Sequence, residues 1–118
     1  MAFGSAGGDA QPQGMLQVLV NMIDFAMNPQ QAVEAPRVTS WNFPNSFAPH
    51  DYQPGRLDAE GRIDRRTLDE LVELGHRVGL ASDWSPWASQ VHAAIRNPST
   101  GVLLGASDPR ASGAAIGW

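Results

Sequence analysis

Two adjacent glycines, Gly7 and Gly8, close a run of small residues, Gly4-Ser5-Ala6-Gly7-Gly8. With no Cβ in the way, a ligand oxygen can approach their backbone N–H groups closely, and a helix starting just beyond them adds partial positive charge. That combination suits an oxyanion hole, in which fixed donors stabilise the charge that develops during acyl transfer. It equally suits a plain turn. A phosphate loop is disfavoured, because no Gly-Lys-Ser/Thr ending follows.

The remaining chemistry-bearing residues are sparser. His50, His76 and His92 are far apart and lack metal-ligand spacing, so no metal and no cofactor is expected. His50-Asp51 reads either as an acid/base pair or as a solvated loop pair. His76 falls at a helix end, where positive charge is favoured. Asp108-Pro109-Arg110 could orient a substrate, bridge to a neighbouring subunit, or simply start a turn. Trp84 and Trp87 flank Pro86 and could form an aromatic recognition surface or pack inward.

The elements that must position these residues follow from periodicity. Residues 4–8 read as a loop. A helix is expected over Gln13–Met27, where Gln13, Gln17, Asn21, Asp24 and Asn28 make one narrow polar stripe among apolar residues. So narrow a stripe predicts burial on most sides, and hence a partner. Asn28-Pro29-Gln30-Gln31 carries the cap, the first-position proline and the capping-box glutamine of a short helix ending before Pro36. A short strand is expected near Arg37–Trp41, and residues to 62 read as an extended loop interrupted by Pro44, Pro49, Pro54, Gly55 and Gly61. Helical period returns at Asp64, with an Arg66/Glu70 pair and a stop at Gly75. Strands are then expected at His76–Leu80, Val91–Arg96, Val102–Ala106 and Ala114–Trp118, three or four of them antiparallel. The fold class is α+β.

Composition bounds the rest. The 118 residues, 42% of them hydrophobic and 17% charged, suit one domain, 1–118, rather than a disordered chain. A net charge of -4 argues against a nucleic-acid partner. The absence of cysteine removes disulfides and thiolate chemistry. No apolar run approaches the ~18 residues of a membrane span. The start lacks the basic and apolar regions of a signal peptide, and the location of the whole protein is left open.

Taken together, five landmarks in order resemble the gamma-glutamyltransferase (gamma-glutamyltranspeptidase) family. They are Gly4–Gly8, resembling its Gly-Ser-Pro-Gly-Gly loop; Gln11–Asn21, its following helix; Asn28–Arg37, its Asn-Pro…Pro-Arg segment; Leu74-Gly75-His76-Arg77-Val78; and Ser107-Asp108-Pro109-Arg110 with Gly113-Ala114-Ala115 and the closing Gly117-Trp118. The resemblance implies part of an αββα N-terminal-nucleophile hydrolase fold, an antiparallel sheet with flanking helices. It also implies a precursor that cuts itself, freeing a threonine nucleophile at the start of the small subunit. Gly7 and Gly8 fall where that family forms its oxyanion hole. This chain is then the C-terminal part of the small subunit. Its implied partners are the large subunit, the N-terminal part of the small subunit, and a small gamma-glutamyl or acyl-amide substrate.

The departures carry expectations of their own. Only Met1–Phe3 precede the glycine loop, and Thr39, Thr67 and Thr100 lie after it, so the chain alone is expected to lack the nucleophile and to be inactive. Asp9-Ala10-Gln11-Pro12-Gln13 is closer to the acylase and amidohydrolase-like relatives than to glutathione-cleaving members, which carry Ser-Arg-Ile or similar there. The competing expectations are a catalytically dead binding or assembly module and a truncated remnant.

Overall fold

A computed structural model describes residues 1–117. Two three-stranded sheets organise the chain. The first has the order β1 (Ala2–Ala6), β5 (Gln90–Arg96), β6 (Leu103–Ala106), all antiparallel. The second has the order β2 (Val38–Ser40), β3 (Arg56–Glu60), β4 (Arg77–Ala81). Here β2 runs antiparallel to β3, while β3 and β4 are parallel and joined by helix α3 (Arg65–Glu73). The strand following Gly75 therefore does not join the antiparallel set expected for it, since a helical crossover returns the chain in the same direction.

Helix α1 (Gln11–Ile23) follows a single 3-10 turn at Gly8–Ala10, and helix α2 (Pro29–Glu34) packs beside it. The expected start of α2 is present in full. The Asn28 side chain accepts from Gln31 N at 2.9 Å, and Gln31 returns to Asn28 N at 3.1 Å. In α3, Asp64 caps Arg66 N at 2.8 Å and Arg66 pairs with Glu70 at 3.0 Å.

Three segments differ from expectation. Residues 2–6 are a strand rather than a loop, paired with β5 in the register Ser5 to Val91, and only Gly7 and Gly8 turn. The supposed loop before residue 62 contains β3, whose short run between Gly55 and Gly61 hides its alternation of buried Leu57 and Ala59. Residues 114–117 form no strand, and Trp118 lies outside the described residues.

Helix α1 also departs from the sequence reading. Two residues of its polar stripe, Gln13 and Gln17, point inward onto the edge of β2, while Asn21 bonds Ala32 O and Asp24 is exposed. Gln13 donates to Ser40 O and accepts from Ser40 N, at 3.1 and 2.8 Å. Gln17 does the same with Val38, at 3.0 Å both ways. Two carboxamides thus finish the hydrogen bonding of an exposed strand edge. Val18 packs into the core with Val33, Val91, Ala93 and Ala106, whereas Leu16, Ile23 and the following Phe25 stay exposed. The broad apolar surface inferred from the sequence is real, and within these residues much of it faces outward.

Candidate functional site

The turn at Gly7 and Gly8 arises where β1 ends and α1 must begin. Gly7 has φ 132° and Gly8 φ 55°, both in the region that side chains disfavour. The turn continues into the 3-10 segment, closed by Ala10 N to Gly7 O at 3.1 Å, and then into α1. Among the described residues, no backbone carbonyl or side chain accepts from the amides of Gly7 and Gly8. They line a cleft of about 710 Å³, together with Asp9, Thr39, Trp41, Phe43, Phe47 and Trp87 among others.

The far wall of the cleft is the loop between β2 and β3. Asp9 anchors it, accepting from Ser46 N at 2.6 Å and from Ser46 Oγ at 2.5 Å. These two bonds hold the Asp9 carboxyl below its ordinary range, which makes it a weak base. The anchor brings the Phe47 ring against Gly8, where a Cβ would meet it at 3.1 Å. The opposite side of the turn is closed by Ser89, whose Cα would lie 3.1 Å from a Cβ on Gly7.

Ser89 is fully buried and has φ 72° and ψ 164°, a conformation nearly restricted to glycine that costs a serine roughly 1–3 kcal/mol. Its surroundings hold it there. Its hydroxyl bonds Ser5 Oγ and reaches Ala6 O at 3.3 Å. Its side chain fills the space left by Gly14 on α1, and its carbonyl accepts from Arg37 Nη1 at 3.1 Å.

Arg37 belongs to a buried ionic cluster with Asp108, Arg110 and Glu60. Arg37 meets Asp108 at 2.8 Å, and Arg110 reaches Asp108 at 3.0 Å and Glu60 at 2.6 Å. All four side chains are closed to solvent, and the partly exposed Arg62 also pairs with Glu60, at 3.2 Å. Burial alone would raise the Glu60 and Asp108 pKa values. The Arg110 bond to Glu60, the backbone amides on both carboxylates and the nearby guanidiniums outweigh it, so both stay below their ordinary range. Burial and the neighbouring Arg110 lower the Arg37 pKa. Asp108 and Arg110 therefore neither face a substrate nor point outward to a neighbouring subunit. They tie the end of β6 to β3 and to the carbonyls of Val33 and Ala35.

The other sequence candidates do not converge on the cleft. His50 Nδ1 lies 2.8 Å from Asn45 O and forms no ion pair with Asp51 among the described residues. His76 closes the end of α3 through its backbone, N to Leu71 O at 3.1 Å. His92 Nδ1 sits 3.2 Å from Ser107 Oγ, an exposed pair that the spacing did not reveal. The two tryptophans separate: Trp84 is stacked by Arg62 at 3.5 Å, while Trp87 is exposed and lines the cleft.

Residues 1–118 match the family described as gamma-glutamyltranspeptidase. The chain belongs to that family. Among similar gamma-glutamyltranspeptidase-family proteins is the glutathione hydrolase-like YwrD proenzyme of Bacillus subtilis, 36% identical over 115 residues, which are 98% of this chain and 21% of the relative. The oxamate amidohydrolase proenzyme of Klebsiella pneumoniae is 34% identical, over 100% of this chain and 21% of its own length. The structure of the cephalosporin acylase from Bacillus halodurans superposes with a TM-score of 0.83 at 33% identity, covering 98% of this chain and 19% of that one. These resemblances bear out the expected family, its acylase-like branch and the N-terminal-nucleophile hydrolase architecture. The chain spans about a fifth of the length of these relatives.

Proposed function

We propose that this chain is the C-terminal portion of the small subunit of an N-terminal-nucleophile enzyme that transfers or hydrolyses gamma-glutamyl or related acyl amides. Gly7 and Gly8 supply its oxyanion hole. The observation that carries this reading is the pair of successive amides, free of acceptors among the described residues, in the lining of a large cleft and just ahead of a helix. Donors fixed in advance of the reaction stabilise a tetrahedral oxyanion without reorganising.

The nucleophile is assigned to residues outside this segment. Of the hydroxyls that line the cleft, Thr39 Oγ1 donates to Trp87 O at 3.4 Å, Ser46 Oγ donates to Asp9 at 2.5 Å, and Ser40 Oγ accepts from Asn42 N at 3.4 Å. With Gly7 and Gly8 alone the covalent route is missing, so the 118 residues by themselves should not turn over. The exposed apolar side chains Leu16, Ile23 and Leu103 fit a segment that packs against the remainder of its enzyme.

The test compares the isolated segment with the complete protein on a chromogenic gamma-glutamyl anilide and on a simple acyl anilide. Turnover by the complete protein and none by the segment supports the reading. Turnover by the segment alone, or a complete protein inert toward every amide offered, overturns it.

A further inference from the structure

We propose that Ser89 is a positioning residue for the amides of Gly7 and Gly8, a role that rests on the acyl-transfer reading above. Ser89 is the last residue before β5, and β5 pairs with β1 up to Gln90 opposite Ala6. The glycine turn thus leaves the sheet at the point where Ser89 enters it. Four contacts converge on this residue. Its backbone presses on Gly7, its side chain fills the notch at Gly14, its hydroxyl bonds Ser5 Oγ and Ala6 O, and its carbonyl is held by Arg37.

A glycine would occupy φ 72°, ψ 164° freely, so folding alone does not call for serine here. What the serine adds is a hydroxyl that ties the end of β1 to the residue before β5, beside Gly7. Holding Gly7 on its Ser89 side constrains the two successive peptides that border the cleft. A small error in their orientation weakens the bond to a developing oxyanion much more than it weakens substrate binding.

The experiment uses the complete enzyme that contains this segment, with Ser89→Gly and Ser89→Ala measured beside Gly8→Val. Both Ser89 variants are expected to lower kcat roughly 10- to 100-fold with little change in KM. Ser89→Gly is expected to do so without lowering the melting temperature, because it relieves backbone strain. In amide NMR spectra of the variant, the Gly7 and Gly8 signals should shift or broaden. A Ser89→Gly enzyme with wild-type kcat, beside a crippled Gly8→Val enzyme, overturns the positioning role and leaves the site reading standing. Activity lost only in step with thermal stability also overturns it, since that marks a purely structural residue. Full activity of Gly8→Val overturns the site reading itself, and this inference with it.

Discussion

Arg37 Nη1 donates to the carbonyl of Ser89 at 3.1 Å, and through that bond the buried ionic cluster reaches the back of the glycine turn. The same guanidinium holds Asp108 at 2.8 Å, and Asp108 accepts from Val91 N at 2.9 Å at the start of β5. Glu60, at the end of β3, accepts from Arg37 N and Ser85 N at 3.0 and 2.9 Å. The cluster therefore ties the two sheets together.

Removing one buried member of this set leaves its partners charged and closed to water. Arg110→Met deprives both Glu60 and Asp108 of a cation and should cost about 3–5 kcal/mol of stability. Urea unfolding of the protein checks this. An Arg110→Met protein as stable as the parent would mean that water reaches the cluster.

The cluster also fixes an acid limit. Glu60 and Asp108 have folded-state pKa values below those of the unfolded chain, which are about 4.3 and about 3.9. Their contribution is therefore complete above that range and is lost as pH falls through the depressed folded values. Thermal melts should hold level from neutral pH to about pH 5 and decline below about pH 4. The Glu60→Gln protein, less stable at neutral pH, should show a shallower acid decline.

Gly14 reverses the usual preference for alanine inside a helix. A Cβ there would come within 2.5 Å of Ser89 Cβ, so Gly14→Ala should destabilise by roughly 1–3 kcal/mol despite its better helix propensity. Adding Ser89→Gly should recover most of the loss. Additive destabilisation in that double-mutant cycle would contradict the packing described for this pair.

Gln17 bonds both N and O of Val38 at 3.0 Å. Gln17→Leu gains hydrophobicity yet leaves both groups of the strand edge unpaired. A loss of about 1–3 kcal/mol is expected in denaturant titrations. In contrast, Leu16→Ser, one residue away and exposed, should change the stability of these residues little.

Local chemistry was the legible part of the fold. The capping box at Asn28 and Gln31, the Arg66/Glu70 pair and the alternation in β5 each depend on neighbours a few residues apart. The inward face of Gln13 and Gln17 depends on an unpaired strand edge that comes from a distant part of the chain. Polar spacing looks the same whether the amides meet water or backbone, so the sequence suggested a solvent face. β3 was hidden by its length and its flanking glycines, and its parallel pairing is a long-range fact. At the site, the glycines were found from their type and from the family resemblance. Asp9, Ser46 and Phe47 went unnoticed as a unit because they are brought together by a fold of the loop. Asp108 and Arg110 read as a turn, a substrate-orienting pair or a bridge to another subunit because Glu60 and Arg37, the partners that let them be buried, lie far away in sequence.

The central claim is that the amides of Gly7 and Gly8 hold the oxyanion. The most direct measurement is kcat and KM of Gly8→Val in the complete enzyme, with thermal stability followed alongside. The branched side chain would press on Phe47, 3.1 Å from the Cβ position, and turn the peptide at a site that needs φ 55°. The account predicts a kcat about 100- to 1000-fold lower with KM little changed. A folded Gly8→Val enzyme with parental kcat would contradict it.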